Sequence, residues 1–405
     1  GFSNHLGGSA EPRHRDRKSD FAAAVKKLET DIPDAKARSG RVKELEAAHP
    51  HVMVMRDEVD RKAFILKRGQ YDDKGEEVDP GLPEAFSPVP EGESLTRLDL
   101  ARWLVDGKHP LTSRVFVNRI WEQFFGTGIV KSSENLGRQS DWPSHPQLLD
   151  WIAVDFVESG WDVKGLIRAI VMSRSYRQSS IIDEERLQRD PENRLLSRGP
   201  RTRLQAEMLR DQALFLSGLL VERVGGPSWW VYQPAGLWLE VEKRGTFVQD
   251  HGEKLYRRSL YSRIRRTVAP PSMLLFDMPS REMCSVKRTL TNTPLQALAL
   301  LNEVTYVEAA KKFAERMMTK GGTPGERIAW GFRCATSRVA EKGELEILVK
   351  GYERRVERYR RDGKAAEDLL GQGESKIAAY LPKPEMAALT TVANVILNLD
   401  EVINR

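Results

Sequence analysis

Residues 144–172, SHPQLLDWIAVDFVESGWDVKGLIRAIVM, decide the fold class. Ser144, Pro146 and Gln147 match a capping box with proline in the first helical turn. Apolar side chains then recur at helical spacing, and Asp162 is placed to cap a second helix with its own apolar stripe. The stretch therefore predicts two consecutive amphipathic helices.

Helix signals of the same kind recur along most of the chain. The caps or first residues of the other main helices are predicted to be Ser94 or Thr96, Ser113, Gln205, Thr293 and Thr323. Between about residues 225 and 290, turn residues and short aromatic or β-branched runs replace the helical pattern. The predicted class is mainly α: a multi-helical domain with an inserted irregular or short-stranded segment.

The pattern changes along the chain divide it into three regions. Residues 1–50 are polar and predict a helical arm or linker. Residues 51–94 predict a β-ribbon, HVMVMRDEVDRKAFILKRGQY, that turns at its acidic centre and leads into an extended linker rich in proline, glycine and acid. Residues 95–405 then form the helical domain, so we expect a domain boundary near residue 94.

Composition and missing motifs exclude several classes of protein. No stretch approaches the roughly 20 apolar residues that span a bilayer. The opening residues lack the apolar run of a signal peptide, but such a peptide is removed from mature exported proteins, so export stays open. No C-x-x-C-H haem motif, phosphate-binding glycine loop, nucleophile elbow, H-E-x-x-H pattern or other metal-ligand set is present. The two cysteines, Cys284 and Cys334, are each expected to be a small buried hydrophobe, and a disulfide bridge between them is the less favoured alternative. The sequence thus predicts no cofactor or metal in this chain.

The irregular segment carries most of the candidate binding residues, because functional groups concentrate on loops held by a rigid scaffold. Flat rings there can stack on sugars, and a basic run from Lys254 to Arg266, which contains no acid, can line a groove for sulfate, phosphate or carboxylate. The predicted substrate-binding residues are Trp229, Trp230, Tyr232, Trp238, Arg257, Arg258, Arg263, Arg265 and Arg266.

Other interpretations of these residues remain open at this point. The rings can equally be buried as a second core, and the basic run can be a solvated or ion-paired strand. Single-stranded nucleic acid would bind such a surface on similar physics, but no nucleic-acid fold signature accompanies it. Three other tryptophans, Trp103, Trp121 and Trp151, fall on apolar helix stripes and are expected in the core.

Asp250 and His251 form the sharpest candidate for catalysis. They lie side by side on a glycine-containing loop just before the basic run. For acid–base chemistry Asp250 must orient His251, and for metal chemistry both side chains must face one ion. Adjacent residues of a strand point to opposite faces, but a turn can bring the two side chains together. The alternative is that Asp250 caps the loop and His251 bonds to the backbone.

Two further candidates are expected to be structural. Glu207, Arg210 and Asp211 share a helix face, which is more typical of a buried ion network than of a carboxylate pair for glycoside cleavage. His145 lies in the first turn of a capped helix, where packing against a neighbour is the favoured interpretation.

Five stretches in one order carry a resemblance to a known family. They span residues 100–130, 144–180, 190–220, 247–261 and 291–302. In these stretches the chain resembles the planctomycete-specific C-terminal domain of unknown function, number fifteen fifty-three of that series, over about residues 95–400.

The resemblance implies a cellular context. Such domains usually close long exported polypeptides that begin with a planctomycete-type cytochrome c domain and continue through a second uncharacterised domain, so haem c is expected only on a separate domain. Their genes often lie beside sulfatase genes. We therefore expect a domain of the periplasm or cell envelope that binds and helps to process sulfated or otherwise anionic polysaccharide. The alternative is a non-catalytic structural module that docks the family's other domains, and the sequence does not decide whether the chain is an enzyme.

Overall fold

The computed structural model describes the chain except for residues 1–12, 15–17, 49–50, 53–61, 84, 87–94, 235, 238–246, 266–267 and 405. The chain divides into two compact units, residues 1–112 and 113–405. Helices make up 54% of the structure, and strands occur only as short antiparallel pairs in its described part. The prediction of a mainly α protein is confirmed.

The first unit contains the helical pieces expected in its polar arm. Its elements are β1 (Arg13–His14), α1 (Lys18–Asp31), α2 (Ala35–Ala48), β2 (His51–Val52), β3 (Ala63–Leu66), β4 (Lys74–Val78) and α3 (Arg97–Leu104). Strand β1 pairs with β2, and β3 pairs with β4. Thr96 caps α3 in a reciprocal capping box with Asp99, as the sequence predicts.

A β-ribbon turn lies downstream of the turn that the sequence pattern predicts. Its described strands are β3 and β4, and the chain reverses between them through residues 67–73. Arg68 and Gly69 have φ angles of 51° and 76°, so left-handed backbone makes the turn there. The acidic centre predicted as the turn, residues 56–60, lies outside the described residues, and part of the predicted linker is strand β4.

The second unit is built mainly from helices. The helices from Thr112 onward are α4 (Thr112–Phe125), α5 (Pro146–Glu158), α6 (Val163–Met172), α7 (Glu184–Arg189), α8 (Ala206–Ser217), α9 (Pro271–Leu275), α10 (Pro294–Asn302), α11 (Val304–Thr319), α12 (Pro324–Thr336), α13 (Lys342–Arg361), α14 (Gly363–Leu370), α15 (Lys383–Leu397) and α16 (Asp400–Ile403). Helix α11 packs most extensively against α15 and also against α8. No described helix is long and apolar enough to span a bilayer.

Local capping chemistry sets most of the helix starts. Asp162 accepts a hydrogen bond from the Gly165 N–H, and Thr293 and Thr323 each form a capping box, as predicted. The caps predicted at Ser113 and Ser144 are wrong.

Both serines have other roles in the structure. Ser113 is buried inside α4, where His109 Nδ1 accepts the Thr112 N–H at 3.2 Å. Ser144 donates to the Ile129 carbonyl at 3.4 Å, while α5 begins after His145 without a side-chain cap.

Burial confirms two of the three tryptophans expected in the core and contradicts the third. Trp103 and Trp121 are buried. Trp151 is 64% exposed, because α5 turns Leu149, Ile152 and the rest of its apolar stripe inward and leaves position 151 on the outer face. The prediction that Trp151 is a core residue is therefore wrong.

The segment between residues 225 and 290 is irregular, as expected. Its described regular elements are two 3-10 helices, Gly252–Tyr256 and Ser259–Tyr261, and the short helix α9. Single parallel bridges join Val221 to Arg257 and Trp229 to Ser262. Both cysteines are free and exposed, so the expectation that they are buried is wrong.

Candidate functional site

Trp229, a predicted sugar-stacking residue, lies in the core beneath the irregular segment. It is 1% exposed, and the Arg210 guanidinium lies 4.6 Å from its ring centroid. Its backbone N–H donates to Tyr261 at 3.1 Å, and its carbonyl accepts from Arg263 at 2.7 Å. A ring enclosed in this way cannot stack on a ligand, so the assignment of Trp229 to the binding surface is corrected to a core role.

Arg210 belongs to a buried structural network. It donates to the carbonyls of Leu255 and Arg257 and to the Ser259 hydroxyl, and Asp211 accepts from the N–H and hydroxyl of Ser259 at 2.8 and 2.7 Å. Burial lowers the pKa of Arg210, and the nearby carboxylate of Asp211 partly offsets this effect. The network fastens α8 to the basic run.

Arg257, another predicted binding residue, is also buried. Its guanidinium donates to the carbonyls of Pro227 at 2.8 Å, Arg223 at 3.3 Å and Gly225, and lies 4.3 Å from the Tyr261 ring centroid. These contacts use its donors to hold the loop of residues 223–227. Arg257 is therefore a structural clamp, and its assignment to a ligand surface is corrected.

Two other candidate residues make local contacts. Glu207 pairs with Arg288 through two hydrogen bonds of 2.7 and 3.1 Å. Partial burial raises the pKa of Glu207, but this pairing outweighs it and leaves the pKa below its usual value. His145 Nδ1 lies 3.0 Å from the Ser144 hydroxyl. Glu207 therefore has a structural partner, but this partner is Arg288 and not the predicted Arg210 of its own helix.

Trp230 keeps part of its ring at the surface. It is half-buried, Phe247 meets it edge-on with 5.6 Å between ring centroids, and the exposed Arg263 places its guanidinium 4.7 Å from the indole centroid. Within the described residues Arg263 forms no ion pair with a carboxylate. We refer to Trp230, Phe247 and Arg263 as the Trp230 surface.

The remaining predicted cations differ in accessibility. Arg258 is exposed and lies 3.7 Å from the Glu222 carboxylate. Arg265 is half-buried and forms an antiparallel bridge with Val268. The two predicted binding residues that fall outside the described part of the chain are Trp238 and Arg266.

Asp250 contacts the Trp230 surface and does not orient His251. Its carboxylate accepts the Trp230 N–H and the Lys254 ammonium, each at 2.9 Å. Partial burial raises the pKa of Asp250, but these hydrogen bonds outweigh it and leave the pKa below its usual value. Asp250 thus ties its loop to the backbone of Trp230.

His251 is oriented by a carboxylate from a distant part of the chain. Its Nδ1 contacts Glu374 Oε1, while the side chain is 74% exposed. Glu374 Oε2 also accepts the Gly252 N–H at 2.9 Å, and Gln249 approaches Oε1 at 3.4 Å. Partial burial raises the pKa of Glu374, but the hydrogen bonds from Gly252 and His251 outweigh it and lower the pKa.

A buried polar cluster lies directly behind this pair. The Tyr232 and Tyr256 hydroxyls donate to Glu308 at 3.1 and 2.8 Å, and Tyr232 accepts the Glu374 N–H at 3.1 Å. Burial is the largest cause that raises the pKa of both tyrosines, and the hydrogen bond to Glu308 and the charge of Glu308 raise it further. Lys311 donates to three carbonyls of residues 370–375. The hydrogen bond from the Glu374 N–H to Tyr232 and the contacts of Lys311 together hold the loop that carries Glu374 in place.

The chemistry open to this arrangement is proton exchange. Because Nδ1 of His251 contacts Glu374, the second ring nitrogen, Nε2, is the one available to a bound group. Carboxylate–imidazole pairs that act as general bases have the same arrangement. No group of three or more histidine, cysteine, aspartate or glutamate side chains with the geometry to hold a metal ion occurs among the residues described.

Glu374 is the site residue that sequence reasoning missed. It lies 123 residues after His251, so no local spacing connects them. The only local signal is the stretch Gly371–Ser375, GQGES, whose glycines break the helical pattern between α14 and α15.

Comparison with known proteins gives one match. Residues 96–352 match the family PSD1, described as a protein of unknown function (DUF1553). No curated protein and no solved structure matches the chain significantly.

Proposed function

Because the chain belongs to the PSD1 family of proteins of unknown function (DUF1553), we propose a function from its own geometry: it binds an anionic polysaccharide at the Trp230 surface. The proposal keeps the substrate class expected from the sequence. It replaces the expected set of binding residues by those whose side chains reach solvent.

The position of Arg263 is the observation that carries this proposal. Its guanidinium lies against the Trp230 ring, which restricts the orientation of the guanidinium plane. Among the described residues no carboxylate accepts hydrogen bonds from its N–H groups. A guanidinium held in this way offers parallel N–H groups to a sulfate or carboxylate.

Neighbouring groups extend the surface toward the His251–Glu374 pair. Asp250 bonds to the Trp230 backbone and is adjacent to His251, so the loop that carries His251 is tied to the backbone of Trp230. Trp230 and Phe247 supply apolar area for a sugar face. In this proposal the second ring nitrogen of His251 forms a hydrogen bond with a hydroxyl group of the bound sugar, and Glu374 keeps the imidazole in place.

The wider context also belongs to the proposal. The polysaccharide is a sulfated or uronic polymer of the periplasm or cell envelope, and a cytochrome c domain and a second uncharacterised domain of the family are the chain's partners. This context comes from the family resemblance of the sequence. Single-stranded nucleic acid ranks second as a ligand, because it would use the same ring and cations.

A binding experiment with one exposed variant tests the proposal. A heparin oligosaccharide is titrated into the protein, and tryptophan fluorescence is followed at low and high salt. Arg263→Gln should weaken binding by at least about tenfold, since a hydrogen bond to a charged group contributes about 1.5–3 kcal/mol. Binding should also weaken as salt screens the charges.

The matched control is Arg354→Gln, which removes an exposed arginine on α13 that makes no ion pair among the residues described. It should bind the oligosaccharide like the unmodified protein. Equal affinity in the two variants, or no binding of sulfated, uronic or neutral glycans by the folded protein, would refute the proposal.

An apolar face on α10 favours a second candidate function, the docking of the family's other domains. Leu295 and Leu298 are 58% and 55% exposed on one side of this helix, and Leu301 continues the row. An exposed apolar row of this kind is typical of a protein interface. If docking is the function, Leu298→Lys should abolish binding to separately expressed domains of the family without changing glycan binding.

A further inference from the structure

A second aromatic and cationic surface surrounds Trp330, the one tryptophan outside the tryptophan-rich region of the sequence. Trp330 lies on α12, half-buried, with its inner side packed against Phe313 in the main core. We refer to Arg316, Lys320, Trp330 and Arg333 as the Trp330 surface. The Trp230 surface contributes no residue to it.

Two cations at the C-terminal end of α11, Arg316 within the helix and Lys320 directly after it, approach the Trp330 ring. The Arg316 guanidinium lies 5.6 Å and the Lys320 ammonium 5.1 Å from the ring centroid. Arg316 also donates to the Leu216 carbonyl at the end of α8, which fixes its position. The third cation, Arg333, is exposed on α12 and lines a shallow depression together with Trp330, Cys334 and Ser337.

The cations converge on this depression. Arg316 and Lys320 lie at the Trp330 ring, and Trp330 lines the depression together with Arg333. Partial burial raises the pKa of the Cys334 thiol, and the positive charges of the three cations act against that increase. In the described part of the chain, none of the three forms an ion pair with a carboxylate. Like charges placed close together repel each other, and an anion bound among them offsets this repulsion.

A neighbouring depression extends the surface along α8. Phe215, Gly218, Leu220, Glu222 and Arg316 line it, and Phe215 is largely exposed. Its acid, Glu222, lies 3.7 Å from Arg258. Arg316 thus lies between an apolar patch and the cationic depression at Trp330, which is the arrangement expected for a polymer with both sugar faces and anionic groups.

We propose that the Trp330 surface is a second binding site for sulfate or carboxylate groups of an anionic sugar polymer. Arg316, Lys320 and Arg333 bind the anionic groups, and the exposed part of Trp330 packs against the sugar. The identity of the polymer rests on the proposed function, whereas the site itself depends only on these four residues.

Cys334 reports on this site, and Cys284 provides an internal control. Both thiols are exposed, but only Cys334 lines the depression. The experiment measures how fast a thiol reagent modifies each cysteine of the full chain with and without a heparin oligosaccharide, using peptide mass spectrometry. The ligand should slow modification of Cys334 and leave Cys284 unchanged.

Two double variants test the charges. Lys320→Gln with Arg333→Gln should raise the oligosaccharide concentration that protects Cys334 by about tenfold or more. Lys350→Gln with Arg354→Gln, which removes the same charge from exposed positions on α13, should leave protection unchanged. Protection that survives the first pair unaltered would overturn the proposal.

The outcomes separate this inference from the proposed function. If Arg263→Gln weakens binding and Cys334 is never protected, the Trp230 surface binds the polymer and the second site is refuted. If Cys334 is protected and Arg263→Gln has no effect, the Trp330 surface stands and the proposed site fails. A folded protein that shows neither effect refutes both.

Discussion

Replacing Trp229 by alanine distinguishes a core ring from a binding ring. The side chain is 1% exposed and packs in a cluster with Leu209, Leu255 and Phe276. Truncating a buried tryptophan to alanine costs about 3–5 kcal/mol, because transfer free energy is lost and a cavity remains. We expect the free energy of unfolding to fall by about that amount.

Arg210 places the expected value in the upper part of this range. Its buried guanidinium lies 4.6 Å from the Trp229 centroid, and a desolvated cation–π contact contributes about 2 kcal/mol. The two contributions are not fully additive, since the guanidinium keeps its hydrogen bonds to the carbonyls of Leu255 and Arg257. We therefore expect a loss of about 4–5 kcal/mol.

Equilibrium unfolding in urea, followed by far-ultraviolet circular dichroism, measures this loss. Trp151→Ala is the matched control, because Trp151 is 64% exposed and its removal should change stability by no more than about 0.5 kcal/mol. If Trp229→Ala unfolded at the same urea concentration as the unmodified protein while Trp151→Ala lost stability, the assignment of the two rings would be wrong.

Three further variants test the surrounding structure in the same unfolding assay. Lys311→Met should cost about 3–5 kcal/mol, because it leaves three carbonyls and the buried Glu308 without their cation. Hydrogen bonds from Arg338 lower the pKa of Glu344 from 4.5 to about 2, so Glu344→Gln should destabilise the protein above pH 4.5, and the difference should vanish as the pH falls toward 2. Asp162→Ala should cost about 0.5–2 kcal/mol through loss of a helix cap, and no change would contradict the capping role.

Helices and most of their caps are predictable from this sequence because the interactions that define them are local. A capping box such as that of Thr323 joins residues three positions apart, so the pattern is visible in the sequence itself. Ser144 shows where this reasoning fails. Its hydroxyl bonds to Ile129 across a loop, and nothing in the local pattern indicates that competing acceptor.

Burial within the irregular segment could not be predicted, because it depends on distant partners. Trp229 and Trp230 are adjacent, and their different environments follow from which ring meets Arg210 of α8. Arg257 is likewise buried because it donates hydrogen bonds to carbonyls about 30 residues away in the sequence. The role of Glu374 required the fold, since the helices between it and His251 determine where its loop lies.

The packing of α15 on α11 bears on how this family can be divided into pieces. The family match ends at residue 352, within α13, whereas α15 follows at Lys383–Leu397 and covers the buried side of α11. A recombinant fragment of residues 96–352 would expose Phe313 and its neighbours to water and leave Lys311 without its carbonyl partners. The smallest piece that folds therefore extends through α15, and a fragment trimmed to the matched residues should be recovered as aggregate.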